Sequence, residues 1–337
     1  MLYRVRQINY MPKEIQSILL EFIVDDQVVG KIHPTTATML CDMKNKAGQS
    51  VFIMANSDSD NGKEYLTLSS DIDNNFNSRT HAVGEIMNLL KDDGLVKGWR
   101  DELFPVGTSF YSPPLFLIER ATVPLFGILE YGVHINGIVR SGNDSDDNEL
   151  KMWIGRRSST KSKFPNMLDH IVAGGQPAGL SLLENVIKEC YEEAGIPKDL
   201  TLKGLRPAGA ISYETYSEGT STNNGNNGNT NNNGNNDTDM TNGISKFGKI
   251  SRVVLFNFDL YLPEDFVPTP TDGEVQEFQL WNINQIKQSM SPTTCKDPIK
   301  PNCYVVIIDF LLRHGYINPD VPGYLDILRE LRSGDCL

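Results

Sequence analysis

The sequence predicts an α/β protein in which a strand-rich region with long helices follows a small α+β domain. Three observations support this fold class: strand patterns dominate after residue 116, an amphipathic helix is predicted over Leu182–Ala194, and residues 302–316 form a strongly apolar helical pattern. The chain has 337 residues, which at about 150 residues per domain suits two domains. We expect residues 1–115 to form the first domain and residues 116–337 the second.

The first domain mixes helix and strand patterns. Glu14–Val24 is predicted to be a helix that leads into two short strands around a turn at Asp25–Asp26. The stretch THAVGEIMNLLKDDG has apolar residues at helical spacing and ends at Gly94, which is a suitable helix C-cap. No catalytic pattern occurs in this region.

The second region consists mainly of strands with one early and one late helix. Strands are predicted for FLIER, YGVHINGIVR and KMWIGRR, and later for RPAGAISYETY and VVLFNFDLYL. An Asn/Gly-rich tract lies between the last two strands. Because this tract has too few apolar residues to offset chain entropy, we expect a disordered loop insertion at about residues 219–245.

The composition excludes several classes of protein. The chain has 43 acidic and 31 basic residues, and its net charge of -12 argues against binding to duplex DNA or anionic membranes. The five cysteines include no CxxC pair, so neither a disulfide framework nor a zinc site is indicated. The N-terminus resembles neither a signal nor a transit peptide, and no apolar run approaches 18 residues. We therefore expect a soluble, cytoplasmic protein without nucleic-acid or membrane partners, and the oligomeric state stays open.

The helix predicted over Leu182–Ala194 carries three carboxylates on one side. Glu189, Glu192 and Glu193 are neighbours on a helix surface and repel one another by roughly 0.2–0.5 kcal/mol per pair. A divalent cation would reverse this repulsion, and hard oxygen ligands suit Mg²⁺ or Mn²⁺. The spacing alone is also typical of a solvated acidic face. The apolar stripe of the same helix consists of Leu183, Val186, Ile187, Cys190 and Ala194.

The residues on both sides of this helix favour the metal site. Gly174 and Gly175 precede the helix and allow the backbone to approach a phosphate closely, and Gly195 follows as a C-cap. From Gly174 through Lys188-Glu189 to Gly195-Ile196, the segment resembles the Nudix box. It departs from that motif at three positions: Lys188 replaces Arg, Cys190 replaces an aliphatic residue, and Leu180 replaces the first Glu, for which Glu184 is a nearby substitute.

A longer resemblance extends over about 200 residues after Leu115. FPNMLDHIVAGGQPAGLSLLENVIKECYEEAGIP, FLIERATVPLFGILEYGVHINGIV, TDGEVQEFQLW and KPNCYVVIIDFLLRHGYI are similar to the Nudix group related to thiamine pyrophosphokinase, in the stand-alone form with an extra N-terminal domain. This resemblance implies a Nudix α/β/α sandwich with a mixed sheet. It also implies Mg²⁺-dependent hydrolysis of oxidised, damaged thiamine diphosphates to the monophosphate and phosphate, which is a metabolite-repair reaction.

The resemblance also implies roles for individual residues. Metal ligation is assigned to Glu189, Glu192, Glu193 and the carbonyl of Gly174, with Mg²⁺ or Mn²⁺ as the cofactor. The catalytic candidates are Glu189, Glu193, Glu274 and Glu277, and the identity of the general base stays open among them. The substrate-binding candidates are the basic run Arg156, Arg157, Lys161 and Lys163, together with Gly175 and Lys188. His170, beside the box, is expected to be structural.

Two alternatives stay open at this point. The same box would serve a hydrolase of nucleoside diphosphate conjugates, because the box binds the diphosphate and not the base. A Nudix-fold ligand sensor that has lost turnover is the other alternative, which the three retained glutamates disfavour.

Overall fold

The computed structural model describes residues 1–57, 62–141, 149–161, 163–218 and 247–334. The predicted insertion at 219–245 lies outside these ranges. The helices are α1 Leu2–Ile8, α2 Lys13–Ile18, α3 Pro34–Asp42, α4 Phe76–Asp92, α5 Val123–Phe126, α6 Leu182–Ala194, α7 Lys198–Gly204, α8 Ile283–Ser289, α9 Pro301–Arg313 and α10 Tyr324–Glu330. The strands are β1 Leu20–Val24, β2 Gln27–Ile32, β3 Phe52–Asn56, β4 Glu64–Leu68, β5 Leu103–Val106, β6 Phe116–Glu119, β7 Leu129–Ser141, β8 Glu149–Arg157, β9 Leu168–His170, β10 Val172–Gly175, β11 Leu205–Ser217, β12 Lys249–Leu262 and β13 Val275–Asn282.

The chain divides into two compact units that differ from the predicted division at residue 115. The first unit comprises Met11–Leu129 and Tyr216–Ser251, and the second comprises Met1–Tyr10, Glu130–Thr215 and Arg252–Leu337. The first unit continues past residue 115 because β6 pairs with β5 and buries Phe116 in the core of that unit. Val5 belongs instead to the core of the second unit, so the chain's first ten residues are part of it.

The first unit is an α+β structure. Its four-stranded sheet has the order β2-β1-β4-β3, and β5 and β6 form a separate pair. The rings of Phe22, Phe52 and Phe126 pack together at the centre, with centroids 5.4–6.0 Å apart.

The prediction of a helix over Glu14–Val24 is wrong in its second half. That helix ends at Ile18, since Leu20–Val24 pairs as strand β1 and buries alternate side chains.

The second unit is built on a seven-stranded sheet. The strand order is β11-β12-β7-β8-β13, with β10 paired to β7 and β9 paired to β8. Strand β7 is antiparallel to β8 and to β10. An offset of 123 positions separates Asn136 from its neighbour Asp259, and the same offset separates Gly132 from Leu255, which faces it. Because residue numbers increase in the same direction along both strands, β7 and β12 are parallel. The sheet is mixed, since β7 is antiparallel to its other neighbours β8 and β10.

Helices cover both faces of this sheet. Val186 and Cys190 of α6 pack against Val133 and Val172 on one face. Residues of α9, among them Tyr304, pack on the other face in a core that also contains Ile138 of β7, Met152 and Ile154 of β8 and Leu255 of β12. The predicted α/β/α sandwich is confirmed. Within the described residues, no helix combines the length and apolar composition needed to cross a membrane.

Candidate active site

Helix α6 has the predicted bounds and is fixed at both ends. Ser181 caps the N-terminus in a capping box with Glu184, and Gly195 ends the helix in the left-handed conformation at φ 64°. The carboxylate of Glu184 accepts hydrogen bonds from the backbone N–H and the hydroxyl of Ser181. It is therefore a structural cap, and its suggested use as a substitute for the missing first Glu of the box has no support.

The buried face of α6 is more polar than the sequence pattern predicts. Leu183, assigned to the apolar stripe, is 46% exposed, whereas Asn185 and Glu193 are buried. Asn185 donates hydrogen bonds to the carbonyl of Gly175 and to the side chain of Gln176 at 2.8 and 3.1 Å. Sequence analysis missed Asn185, because an Asn inside a helical pattern carries no signal of its own.

Two of the three glutamates point into the protein beside strand β10. Glu193 is only 8% exposed, and its Oε2 accepts the backbone N–H of Ala173 at 3.1 Å. The side chain of Glu189 is 15% exposed and lies against Gly174, and that of Glu192 is 46% exposed. A Cβ added to Gly174 would lie 2.5 Å from Cδ of Glu189, so a residue other than glycine cannot occupy this position without moving the carboxylate.

The electrostatics of this cluster fit a divalent cation. Burial, followed by the charges of Glu189, Asp169 and Glu274, raises the pKa of Glu193 well above its usual range. Burial is also the largest cause of the raised pKa of Glu189. Buried carboxylates that repel one another are stabilised by a hard cation, and carboxylate and carbonyl oxygens are the ligands that Mg²⁺ and Mn²⁺ prefer.

Lys188 lies on the outer side of the cluster. Its ammonium group is 2.9 Å from a carboxylate oxygen of Glu192 and 3.2 Å from one of Glu189. The same lysine was predicted to bind substrate, and this role stays a prediction. Gly175 pairs with Gly132 on β7 at the end of the strand, and its carbonyl is held by Asn185.

The two acidic residues of the DGEVQEF segment lie in different surroundings. Glu274 contributes to the raised pKa values of both Glu189 and Glu193, and it forms an ion pair with Lys161. Glu277 instead pairs with Arg156 at 2.9 Å, and hydrogen bonding to that guanidinium lowers its pKa. The structure therefore brings Glu274, rather than Glu277, to the glutamate cluster.

The predicted basic run is largely engaged in ion pairs. Arg156 contacts Asp297 at 2.6 Å in addition to Glu277, and Lys161 pairs with Glu274. Arg157 points inward and donates to Asp169 at 2.7 Å and to the backbone carbonyl of Lys163 at 3.0 Å. The side chain of Lys163 is exposed. A role for these residues in binding the diphosphate stays a prediction, and Arg157 would first have to leave Asp169.

Asp169 is the centre of a buried charge cluster that the sequence did not reveal. Besides Arg157, its carboxylate contacts Lys300 at 3.2 Å and accepts a hydrogen bond from the thiol of Cys303 at 2.7 Å. Burial alone would raise the pKa of Asp169, but the charges of Lys300 and Arg157 hold it well below its usual range. Lys300 and Cys303 lie 131 and 134 positions after Asp169 in the sequence, so no local pattern predicts these contacts.

Two histidines lie next to this cluster. Nδ1 of His134 is 3.0 Å from Nδ1 of His170, and the rings are nearly perpendicular. Ligand atoms of His134, His170 and Cys303 lie within 4.8 Å of one another. Burial is the largest cause of the lowered pKa of both imidazoles, and the charge of Lys300 lowers both further. Two buried cations at one carboxylate disfavour a third cation, so we assign no metal to this group.

The sequence of this chain is similar to one family model and to three curated proteins. Residues 1–130 match the family model described as a domain of unknown function, DUF4743. The chain is 38% identical to Nudix hydrolase 24, chloroplastic, of Arabidopsis thaliana over 317 residues, covering 94% of this chain and 73% of the relative. Nudix hydrolase 20, chloroplastic, of the same plant is also 38% identical, over 94% of this chain and 74% of the relative. A Saccharomyces cerevisiae protein named Uncharacterized protein YJR142W is 33% identical over 76% of this chain and 68% of its own length.

These relatives correct one expectation and establish the family. The expectation of a cytoplasmic location is wrong, because both plant relatives are named as chloroplastic. Their shared family name, the extent of the alignment and the Gly174–Gly195 box on a mixed α/β/α sandwich agree with one another. The chain belongs to the Nudix hydrolase family, whose members use divalent cations, and it is a hydrolase of diphosphate bonds.

Proposed function

We propose that the protein is an Mg²⁺-dependent hydrolase of thiamine diphosphate derivatives, in particular oxidised forms such as oxothiamine diphosphate. The products are the corresponding monophosphate and phosphate. The substrate class is supported by the resemblance of four segments after Leu115 to the thiamine pyrophosphokinase-related group. The chemistry is supported by one observation above all: buried Glu193 and nearly buried Glu189 converge beside Gly174, where only glycine leaves room for the carboxylate.

The residues that would hold the cation are Glu189, Glu192, Glu193 and the carbonyl of Gly174. When bound there, Mg²⁺ or Mn²⁺ neutralises charge on the diphosphate and lowers the pKa of water. The donor set fits such a cation because it consists of oxygen atoms only, and because the carboxylates otherwise repel one another.

The chain's own residues orient the substrate and take up the proton. Glu274 accepts the proton of the attacking water, since it lies within electrostatic reach of Glu189 and Glu193 and is steadied by its ion pair with Lys161. Glu189 is the second candidate base. Lys188 stands at the outer edge of the cluster, where its ammonium group contacts the diphosphate oxygens. The strand end at Gly175 offers close backbone approach.

The test is phosphate release by the purified protein with Mg²⁺ on four substrates: oxothiamine diphosphate, thiamine diphosphate, ADP-ribose and a deoxynucleoside triphosphate. The expected result is a kcat/KM for oxothiamine diphosphate at least about tenfold above the others, a difference of about 1.4 kcal/mol in transition-state stabilisation. Glu193→Gln serves as the inactive control. A preference for ADP-ribose or the triphosphate would contradict the substrate and favour a hydrolase of nucleotide compounds.

A further inference from the structure

Four buried polar side chains lie together in the second unit, and we call them the polar strip. They are His134 and Asn136 on β7, His170 on β9 and Asn257 on β12, and none is more than 4% exposed. His134 and Asn136 share a side of β7 with Ile138, which belongs to the core beneath α9. Asn257 shares a side of β12 with Leu255 of the same core. The polar strip therefore interrupts an otherwise apolar face of the sheet.

The strip is continuous across neighbouring strands. Asn136 donates to Asp259 at 3.0 Å, an offset of 123 positions, and Leu255 faces Gly132 at the same offset. Position 134 corresponds to position 257 at the same offset, so we infer that His134 and Asn257 are neighbours on this face. On its other side, His134 contacts His170 through their Nδ1 atoms.

Several polar atoms of the strip have no hydrogen-bond partner among the described residues. They are both amide atoms of Asn257, Oδ1 of Asn136 and Nε2 of His170. Buried polar atoms without a partner destabilise a fold and are rare in native proteins. The four atoms of this group lie on three strands, and their hydrogen-bond partners must come from outside the described residues.

The strip lies close to the glutamate cluster. A Cβ on Gly132 would lie 3.1 Å from the carbonyl oxygen of Gly174, the proposed ligand beside Glu189. His134 follows Gly132 by two residues on β7, which corresponds to about 7 Å along a strand. A substrate whose diphosphate lies at the glutamates can therefore place a ring at the strip. The strip is covered, so entry of the ring requires local opening of the segments above it.

We propose that the polar strip binds the organic ring of the substrate, with Asn257 as the specificity-determining residue. A carboxamide presents one donor and one acceptor side by side. Its complement is a nitrogen heterocycle that carries an amino group next to a ring nitrogen, as an aminopyrimidine does, in the way that Asn pairs with adenine. The inference rests on the proposed function, since that function supplies a diphosphate whose organic group is such a ring.

The test compares Asn257→Leu with the full-length wild-type protein on two Mg²⁺-dependent substrates, oxothiamine diphosphate and a simple alkyl diphosphate without a ring. We expect the KM for the ring substrate to rise at least about tenfold, because the variant loses one or two net hydrogen bonds to the ring. The kcat/KM for the alkyl diphosphate is expected to stay unchanged. The melting temperature is expected to change little, because the loss of unpartnered polar atoms is offset by the bulkier leucine at a fully buried position. If Asn257→Leu fails to fold, Asn257→Ser is tested for the same pattern.

Thr36→Val is the matched control. Thr36 is also fully buried with an unpartnered hydroxyl, but it belongs to the first unit, so its removal is expected to leave both KM values unchanged. An unchanged KM of Asn257→Leu for the ring substrate would overturn the proposal, and so would an equal loss on both substrates. If the wild-type protein prefers another ring-bearing diphosphate, the proposed substrate is wrong, and the Asn257 comparison is made on that compound instead.

Discussion

Replacing Gly174 by Ala is expected to lower the catalytic rate strongly while changing the free energy of folding only slightly. The added Cβ would lie 2.5 Å from Cδ of Glu189, so the carboxylate must retreat by about 0.9 Å to reach an ordinary contact of 3.4 Å. The obstructing atoms belong to the end of a flexible side chain, and Gly174 does not have a positive φ, so the cost in folding free energy is small, about 1 kcal/mol. A misplacement of about 1 Å at a catalytic group lowers the rate by about 100-fold.

The assay is Mg²⁺-dependent phosphate release together with the thermal unfolding midpoint. We expect kcat/KM of Gly174→Ala to fall by about two orders of magnitude, and half-maximal activity to require more Mg²⁺. Gly84→Ala is the matched control, because its Cβ would meet no atom within 4 Å in helix α4. That change is expected to stabilise the protein by about 0.5–1 kcal/mol without affecting turnover. A Gly174→Ala variant with the wild-type rate and Mg²⁺ requirement would refute the role assigned to Glu189.

Further predictions concern individual charges. Glu193→Gln is expected to abolish turnover yet to raise the melting temperature of the metal-free protein. The pKa of Glu193 is raised in the folded state, so the wild-type protein loses stability as pH rises above 4.5. In scanning fluorimetry with EDTA, the difference in melting temperature between variant and wild type should therefore widen between pH 5 and 7.5, and it should vanish with Mg²⁺ if the site is a metal site. Glu274→Gln should lower kcat about 100-fold and Glu277→Gln less than about threefold in the phosphate assay, and equal losses would contradict the assignment of Glu274. Arg157→Met should destabilise the protein by about 1–3 kcal/mol in urea unfolding, because buried Asp169 loses one of its two cationic partners and keeps Lys300. The lowered pKa of Asp169 gives stability above pH 3.8 that is lost on acidification, so this variant should also unfold at a higher pH than wild type, and an unchanged acid midpoint would contradict the pairing.

The parts of the site that follow from local pattern could be predicted from the sequence. Helix α6 has the predicted bounds of Leu182–Ala194, because an N-cap, an apolar periodicity and a C-cap glycine all lie within that segment. The face shared by Glu189, Glu192 and Glu193 follows from the same periodicity. Leu183 was wrongly assigned to the buried face, because helical spacing shows which residues share a side of the helix but not which margin of that side is covered by the sheet.

The contacts made across the sheet could not be predicted. Asp169 is joined to Lys300 and Arg157 only once β9, β8 and the start of α9 pack together, and the basic run alone gave no sign that Arg157 points inward. The division of the chain was missed for a related reason. Strand β6 begins at the predicted boundary of residue 116, but it pairs backward with β5, and a change in pattern does not reveal the direction of pairing.

The most direct test of the central claim is a calorimetric titration of the full-length protein with Mn²⁺. The account predicts one site that is lost in Glu193→Gln and weakened at least about tenfold in Glu189→Gln. Glu184→Gln is the matched control on the same helix, since Gln retains the capping box and the Glu184 carboxylate accepts hydrogen bonds from Ser181 alone among the described residues. Mn²⁺ binding that survives in Glu193→Gln, or that is lost equally in Glu184→Gln, would contradict a metal site formed by the inner glutamates of α6 and Gly174.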